Sequence, residues 1–201
     1  MQTKAENPSC HLQGKDTLAI VELYFEFCHL KQLYRRGWLQ RDIAPLRCES
    51  VAEHSFGVAM LAMFIADQHF PELDTAKIMR LALLHDFGEI DAGDMTPMDQ
   101  LPRTEKVRRE RASVVRVLRR LPGGDRYVAL WDEYEERRSA EARFVQQVEK
   151  LEMALQASVY EHQKLADLTD FFASAKQALE DQPLRQLLAA IEKLRDNRDA
   201  R

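Results

Sequence analysis

Apolar side chains recur every three or four residues along most of this 201-residue chain, and this periodicity is its strongest structural constraint. The spacing places apolar groups on one face of an α-helix, whereas a strand would need them at every second position. Glycine and proline, which form many of the turns in all-β folds, number only seven each. The chain is therefore predicted to be all-α. The pattern is clearest in the first predicted helix, 17–34, at Ile20, Leu23, Tyr24, Phe27, Leu30 and Leu33.

Two N-cap signals mark the helices that carry the most informative residues. Ser50-Val-Ala-Glu53 is a capping box, in which each of the two side chains accepts a hydrogen bond from the other residue's backbone amide. Asp74 caps a further helix that runs to His85. The next segment, 87–102, is rich in Gly, Asp and Pro and is predicted to be a loop, a common place for a functional site. Further helices are predicted at about 104–121, 125–138, 140–161, 165–180 and 183–195.

The length and composition indicate one soluble domain. Residues 17–195 are predicted to form a helical bundle with a C-terminal helical extension, between a polar segment, 1–16, and a frayed end, 196–201. A formal net charge of −4 argues against binding to polymeric nucleic acid. The start of the chain lacks the apolar core of a secretory signal, and no apolar run is long enough for a membrane span. We therefore expect no membrane association. The three cysteines, Cys10, Cys28 and Cys48, fit reduced thiols and a cytoplasmic location.

The dipeptide His85-Asp86 lies at the end of an apolar helix and precedes three more carboxylates, Glu89, Asp91 and Asp94. Taken alone, His85 could be a core histidine that is hydrogen-bonded to the backbone. Acidic groups that gather beside a buried helix end repel one another and lose hydration, and a divalent cation relieves both costs.

A second histidine, His54, lies one turn inside the helix that Ser50 caps, among apolar neighbours. His54, His85 and Asp86 could therefore meet where two helices pack. Two imidazoles and one carboxylate would leave coordination positions open for water and substrate. A fourth protein ligand would have to come from later in the chain, and spacing alone does not identify it.

Ordered motifs around these residues carry the most specific signal. The two histidines lie in ESVAEHS at 49–55 and ALLHDFGEIDAGDMTP at 82–97. The other motifs are LKQLYRRGW at 30–38, EKVRRE at 105–110, WDEYE at 131–135 and EKLEMALQASVYE at 149–161. Together they resemble the HD-domain 5′-nucleotidases, which include bacterial 5′-deoxynucleotidases and their eukaryotic HD-domain-containing relatives. The resemblance covers about 30–161 and implies a metal-dependent phosphohydrolase that acts on a small nucleotide.

The resemblance also implies the metal ligands. His54, His85 and Asp86 match the first three ligands of the family. Glu149 matches the fourth, which is ordinarily an aspartate; a glutamate keeps the charge and the donor atoms but adds a methylene. Glu149 would then bind the metal directly or through water, or it would be a solvated helix carboxylate. This donor set suits one divalent ion, Co²⁺, Mn²⁺, Fe²⁺, Ni²⁺ or Zn²⁺, with Mg²⁺ a poorer match.

Glu89 and Asp94 match positions that the family uses near the attacking water and the nucleotide, and they are the predicted catalytic residues. Glu89 would orient or deprotonate the water or protonate the leaving oxygen; alternatively, it would only hold a metal-binding histidine. Asp94 could take either catalytic role or accept a hydrogen bond from a sugar hydroxyl. The alternative for Asp94 is a loop-capping aspartate.

The predicted substrate-binding residues are Arg35, Arg36, Trp38, Thr96 and Lys106. The segment from Arg35 to Trp38 resembles a basic-aromatic element of the family, in which an arginine contacts phosphate. Trp38 would stack on a base or sugar, or pack in the core. The following segment, 39–48, is longer than in the family, which leaves open which arginine faces the pocket. Lys106 could reach a phosphate, although most of its helix has the pattern of a solvated amphipathic face.

The sequence thus predicts release of phosphate from a nucleoside 5′-monophosphate, preferably a deoxyribonucleotide. One alternative is the removal of phosphates from the di- or triphosphate of an unusual nucleotide in a nucleoside-antibiotic pathway, because the segment after Trp38 is longer and Glu149 replaces an aspartate. Another is a catalytically silent nucleotide-sensing module, motivated by the same replacement. The expected partners are a small-molecule nucleotide and a second copy of the chain in a homodimer.

Overall fold

Helices carry almost all of the regular structure in the computed structural model of the chain, as predicted. The backbone is described for residues 2–199 and the side chains for residues 2–195. Within that part, extended pairing is limited to two isolated β-bridges, Thr3 with Leu33 and Tyr34 with Ser50. The α-helices are α1 (Ala19–Phe27), α2 (Arg36–Leu39), α3 (Val51–His69), α4 (Thr75–Leu84), α5 (Glu89–Ala92), α6 (Arg103–Leu118), α7 (Asp125–Glu135), α8 (Ala140–His162), α9 (Thr169–Ala178) and α10 (Gln182–Asp199).

The centre of the bundle is α3, which packs against α4 and α8, while α4 also packs against α7 and α8. Small side chains such as Ala62 on α3 and Ala154 on α8 are fully buried, so the helices approach closely there. The predicted capping box is present: Ser50 Oγ accepts from the Glu53 backbone amide at 3.2 Å, and Glu53 Oε2 accepts from the Ser50 amide at 2.6 Å. The cap sets the start of α3 and therefore the position of His54 one turn later.

The first predicted helix is shorter than expected. The α-helical part ends at Phe27, a 3-10 helix (Cys28–Lys31) follows, and the chain then becomes extended. The Leu33 carbonyl accepts from the Val51 amide at 3.0 Å, and the Arg35 amide donates to the Glu49 carbonyl at 3.1 Å. These long-range hydrogen bonds replace those of a continuing helix, so tertiary pairing overrides the local periodicity.

Two other boundaries differ from the prediction. The segment 87–102 contains the short helix α5 and a 3-10 helix (Pro97–Asp99) as well as loop. The helix predicted from residue 165 begins only at Thr169, where Asp167 Oδ1 accepts from the Thr169 backbone amide at 3.0 Å. This local hydrogen bond competes with helix formation upstream.

The C-terminal extension, α9 and α10, packs on α8. Its apolar residues Leu184, Leu188 and Ile191 belong to the same core cluster as the central helices. Of the frayed end predicted at 196–201, the backbone is helical as far as Asp199, and the remainder lies outside the described residues. No helix in the described part of the chain combines the length and apolarity that a bilayer span requires.

Gly88 sets how closely α6 approaches the segment after His85. A Cβ built on Gly88 would lie 2.5 Å from the Glu110 Cβ and 2.9 Å from the Glu110 Cα on α6. Both are far closer than carbon atoms can pack, and the second belongs to the backbone. The glycine therefore permits the contact that places α6 beside the predicted site.

We expect Gly88→Ala to lower the free energy of unfolding by about 1–3 kcal/mol, because the added methyl group overpacks this contact. Denaturant unfolding would measure the change. Gly37→Ala is the matched control, since its Cβ would lie at an ordinary 3.8 Å from the Phe171 ring. Equal stability of Gly88→Ala and the wild-type protein would contradict this account of the packing.

Candidate metal and nucleotide site

Three of the predicted metal ligands converge where α3 meets the end of α4. His54 is fully buried and His85 is 5% exposed. Their Nε2 atoms lie 3.4 Å apart, and Asp86 Oδ2 lies 3.1 Å from His85 Nε2 and 3.8 Å from His54 Nε2. The donor atoms of the three residues are all within 4.8 Å of one another, close enough to hold one metal ion.

The other ring nitrogen of each histidine has a partner. His54 Nδ1 lies 2.7 Å from Glu152 Oε2 on α8, and His85 Nδ1 lies 2.6 Å from the Ala82 carbonyl oxygen. An acceptor at Nδ1 favours the tautomer with its proton there, which leaves the Nε2 lone pair free. Both lone pairs then face Asp86, which is the arrangement that a shared cation requires.

Asp86 fits this arrangement. Its Oδ2 is buried and has no hydrogen-bond partner among the described residues. Burial raises the pKa of Asp86, but His85 in its protonated form and Arg35 outweigh it and hold the pKa below its usual range. A buried, ionised and unpartnered oxygen beside two imidazole nitrogens suits a divalent ion.

Glu149 lies outside the group of donor atoms within 4.8 Å that the described residues form around Asp86. Its oxygens accept from the Tyr134 hydroxyl and from Lys150 Nζ, each at 2.8 Å. Burial raises the pKa of Glu149, but the charges of Lys150 and His85 more than offset this and lower it. The side chain is thus an ionised carboxylate that borders the same cavity as Asp86, and its ligation of a metal stays a prediction.

Glu89 is a buried carboxyl group with an unpartnered oxygen. Its side chain is 3% exposed, and Oε2 lacks a hydrogen-bond partner in the described structure. Burial, followed by the negative charges of Asp86 and Asp94, raises the pKa of Glu89 well above its usual range. Such a group keeps its proton to a higher pH than an ordinary glutamate and can hold a proton close to the predicted ligands.

The two adjacent arginines have different partners. Arg35 Nη1 lies 3.1 Å from Asp94 Oδ1 and 3.9 Å from Asp86 Oδ2, so Arg35 faces the predicted metal ligands. Arg36 donates through both terminal nitrogens to Asp99, each at 2.9 Å. Asp94 also accepts from the Arg36 backbone amide. Of the two candidates, the structure therefore brings Arg35 to the site and directs Arg36 away from it.

Trp38 is a core residue with 2% exposure. Its Nε1 donates to Glu49 at 2.7 Å, its ring stacks on Phe171 at a centroid distance of 4.3 Å, and Tyr160 packs edge-on against it. This packing agrees with the interpretation of Trp38 as a core residue rather than as a platform that stacks on a base or sugar. Little of the ring surface remains for a base, and direct contact with substrate stays a prediction.

Thr96 and Lys106 lie at the rim of the same region. Thr96 Oγ1 accepts from Gln40 Nε2 at 2.9 Å. Lys106 Nζ lies 3.5 Å from Glu110 Oε1 and 3.4 Å from the Met95 carbonyl oxygen. Both residues line a cavity that Asp86 and Glu149 also border.

A cavity of about 400 Å³, here called the first cavity, collects most of these side chains. Its volume is within the range of small-molecule sites. Predicted residues that line it are Arg35, Trp38, Asp86, Glu89, Asp94, Thr96, Lys106 and Glu149. Five lining residues that were not selected from the sequence come from α8 and α9: Lys150, Met153, Asp170, Phe171 and Ser174. The last three lie beyond the segment covered by the family motifs.

The sequence profile of the HD domain matches residues 27–189. The chain is a member of the HD-domain family. It is 34% identical to the 5′-deoxynucleotidase HDDC2 of Bos taurus, over 92% of this chain and 90% of that protein. The human 5′-deoxynucleotidase HDDC2 is 39% identical, over 81% of this chain and 79% of that protein.

Solved structures agree with this assignment. A protein from Pyrococcus horikoshii superposes with a TM-score of 0.71 and 28% identity, over 87% of this chain and 99% of that one. A protein described as a predicted metal-dependent phosphohydrolase from Magnetospirillum magnetotacticum has a TM-score of 0.66 and 28% identity, over 89% of this chain and 90% of that one. The predicted family and the all-α fold of this HD-domain protein are therefore confirmed.

Several residues that shape the HD site were not predicted from the sequence. Glu152 is one turn after Glu149 on α8, and this i,i+3 spacing could have indicated a second carboxylate on the same face. Tyr134 lies in the motif WDEYE at 131–135, which indicated the family but was not used to select individual site residues. Glu110 on α6 is 7% exposed and faces Lys106. Nothing in its local sequence distinguishes it from the solvated glutamates of the same helix.

Burial raises the pKa of Glu110 from 4.5 to about 7, although Lys106 lowers it in part. The folded state therefore binds this proton more tightly than the unfolded state, and stability contributed by Glu110 falls as the pH rises from 4.5 towards 7. Glu110→Gln removes the titration. We expect its free energy of unfolding, relative to wild type, to increase over this window by roughly 1–3 kcal/mol.

Denaturant unfolding at pH 5 and pH 8 measures this difference. The exposed Glu72→Gln is the control and should show the same difference from wild type at both pH values. A Glu110→Gln variant that loses stability relative to wild type as the pH rises would contradict the expectation.

Proposed function

We propose that this HD-domain protein is a metal-dependent phosphohydrolase that releases phosphate from nucleoside 5′-monophosphates, with a preference for deoxyribonucleotides. The observation that carries the proposal is the meeting of His54 Nε2, His85 Nε2 and the unpartnered Asp86 Oδ2 at one point. That the matched Bos taurus and human proteins bear the name 5′-deoxynucleotidase supports the substrate class.

His54, His85 and Asp86 would hold one divalent ion, with Glu149 as the fourth ligand. Mixed imidazole and carboxylate donors favour Co²⁺, Mn²⁺, Fe²⁺, Ni²⁺ or Zn²⁺ over Mg²⁺. When bound, such an ion supplies Lewis-acid polarisation of a phosphate oxygen and acidifies a water molecule. Glu152 would support the site indirectly by holding His54 through Nδ1.

Arg35 is the proposed phosphate-binding residue. Its guanidinium group lies beside Asp86, and Asp94 holds it at 3.1 Å. A guanidinium fixed in this way is suited to bidentate hydrogen bonds with a phosphoryl group. We therefore infer that Asp94 orients Arg35, in addition to its predicted role near the nucleotide. Lys106, on the rim of the same cavity, would add positive charge.

Glu89 is the proposed proton-transfer residue. Because its pKa is raised, its carboxyl group can hold a proton close to the phosphate and deliver it to the leaving sugar oxygen. The nucleoside would extend along the first cavity towards Thr96, Gln40 and the apolar side chains of Met153 and Phe171. A phosphate-release screen over nucleoside mono-, di- and triphosphates, repeated with each metal, tests the proposed function. It separates a monophosphatase from the alternative di- or triphosphatase and from a catalytically silent sensor. The homodimer and the cytoplasmic location stay predictions.

We expect Glu89→Gln to lower kcat by about 10²–10⁴-fold, since the amide cannot donate or accept the proton. Metal content, measured by elemental analysis, should stay at the wild-type level. Glu136→Gln, at the exposed position directly after α7, is the control and should keep full activity. An active Glu89→Gln enzyme would remove Glu89 from the catalytic step.

A second prediction concerns Glu149. If it is a ligand, Glu149→Ala should weaken metal binding by at least about tenfold, whereas Glu149→Asp should retain the metal. Calorimetric titration of the metal-free protein with Mn²⁺ measures both. His85→Ala should abolish binding and serves as the reference for a lost ligand. Wild-type affinity in Glu149→Ala would show that Glu149 is not a metal ligand.

A further inference from the structure

A second cavity adjoins the predicted metal ligands. It has a volume of about 510 Å³ and is lined mainly by residues of α6, α7, α8 and α9. Four residues line both this second cavity and the first: Asp86, Lys106, Glu149 and Lys150. The carboxylates at the proposed reaction centre can therefore be approached from two sides.

The second cavity contains two arginines that have no ion-pair partner among the described residues. Its cations are Arg103, Lys106, Arg137, Arg143 and Lys150. Three of them have carboxylate partners, in the pairs Arg103–Glu135, Lys106–Glu110 and Lys150–Glu149, at 3.1, 3.5 and 2.8 Å. Arg137 and Arg143, both exposed, form no ion pair with any described residue, and the lining carboxylates outside these pairs are Asp86 and Glu180. The lining thus holds five cationic and five carboxylate side chains, and the two guanidinium groups without ion pairs are the ones that offer hydrogen-bond donors to an anion.

Arg137 occupies a backbone position that would favour glycine. Its φ is +57°, directly after the end of α7. The Arg137 amide donates to the Tyr134 carbonyl and the Arg138 amide to the Glu133 carbonyl, the two hydrogen bonds of a Schellman cap. Glycine adopts this conformation without steric cost, whereas arginine does not. The exposed Arg137 side chain thus lines the second cavity from a position that carries local backbone strain, as Lys164 does after α8.

Arg143 lies next to it. Arg143 Nη1 donates to the Arg137 carbonyl oxygen at 3.1 Å, so the two residues are joined through the backbone of the cap. Both guanidinium groups keep further donors for a ligand.

We propose that the second cavity is a phosphate-binding site, formed by Arg137 and Arg143, which holds a phosphate group while a nucleoside occupies the first cavity. The proposal deepens the proposed function and rests on it for the identity of the anion. The group bound would be either the inorganic phosphate released from the substrate or a further phosphate of a longer nucleotide. In both cases the ligand is a phosphate dianion, recognised by charge-assisted hydrogen bonds.

The test is calorimetric titration of inorganic phosphate into the metal-loaded protein that has first been saturated with a non-hydrolysable nucleoside 5′-phosphonate. The phosphonate fills the first cavity, so heat from phosphate reports on the second. We expect one phosphate to bind, and Arg137→Gly and Arg143→Gln each to raise its Kd by about three- to tenfold. Arg138→Gln is the matched control: Arg138 neighbours Arg137, pairs with Glu136 and does not line the cavity, so its phosphate Kd should equal that of wild type.

Arg137→Gly also separates binding from folding. Because glycine relieves the strain of the cap, its melting temperature should equal or exceed that of wild type while phosphate binding weakens. Absence of binding in the presence of phosphonate, or the same Kd in all variants, would overturn the proposal.

Kinetics distinguish the two sources of the phosphate. If the site holds released phosphate, inhibition by inorganic phosphate should be noncompetitive with nucleoside monophosphate in the wild-type enzyme and weaker in Arg143→Gln. If it holds a second phosphate of the substrate, Arg143→Gln should raise KM for a nucleoside diphosphate and leave that for the monophosphate unchanged. Turnover with purely competitive phosphate inhibition and unchanged KM values would refute this inference and leave the proposed function intact. If the protein shows no turnover, the calorimetric titration still tests whether the second cavity binds phosphate.

Discussion

The structure depends on the compensation of charge inside a helical bundle. Asp86, Glu89 and Arg35 are largely withdrawn from water, and an isolated charge in such surroundings would strongly destabilise the fold. Each group is therefore coupled to another: Arg35 pairs with Asp94 at 3.1 Å and lies 3.9 Å from Asp86 Oδ2, and the pKa of Glu89 is raised by burial. Asp86 Oδ2 accepts no hydrogen bond from the described residues, so its charge is only partly compensated by the protein.

The core holds this cluster through ordinary packing contacts. The Trp131 indole donates to the His85 carbonyl oxygen at 3.1 Å, which ties the end of α4 to α7. Gly57 on α3 allows Glu152 to approach, because a Cβ there would lie 2.6 Å from Glu152 Oε1. His54 is thereby fixed from α8. Side chains that look like structural residues thus set the direction of the two imidazole rings, and rigid positioning of this kind is what metal-assisted hydrolysis needs.

The two cavities differ in the character of the side chains that line them. The first joins the predicted ligands to apolar side chains of α8 and α9, whereas the second is polar and rich in arginine. Lys106 and Lys150 line both, together with the carboxylates of Asp86 and Glu149. A nucleotide has the same polarity, with a flat, partly apolar base at one end and phosphate at the other. This match links the proposed substrate to the shape of the protein beyond the metal ligands themselves.

The sequence by itself determined the all-α class, the capping box of α3 and the family, because helical periodicity, N-caps and ordered motifs are local patterns that can be read along the chain. It also selected His54, His85 and Asp86, since their motifs are short and specific. Only the tertiary structure decided that Arg35 rather than Arg36 faces the site, that Trp38 is buried, and that the first helix ends at Phe27. The physical reason is that each of these outcomes depends on partners far away in the chain, Asp94, Phe171 and Val51, whose proximity no local pattern encodes.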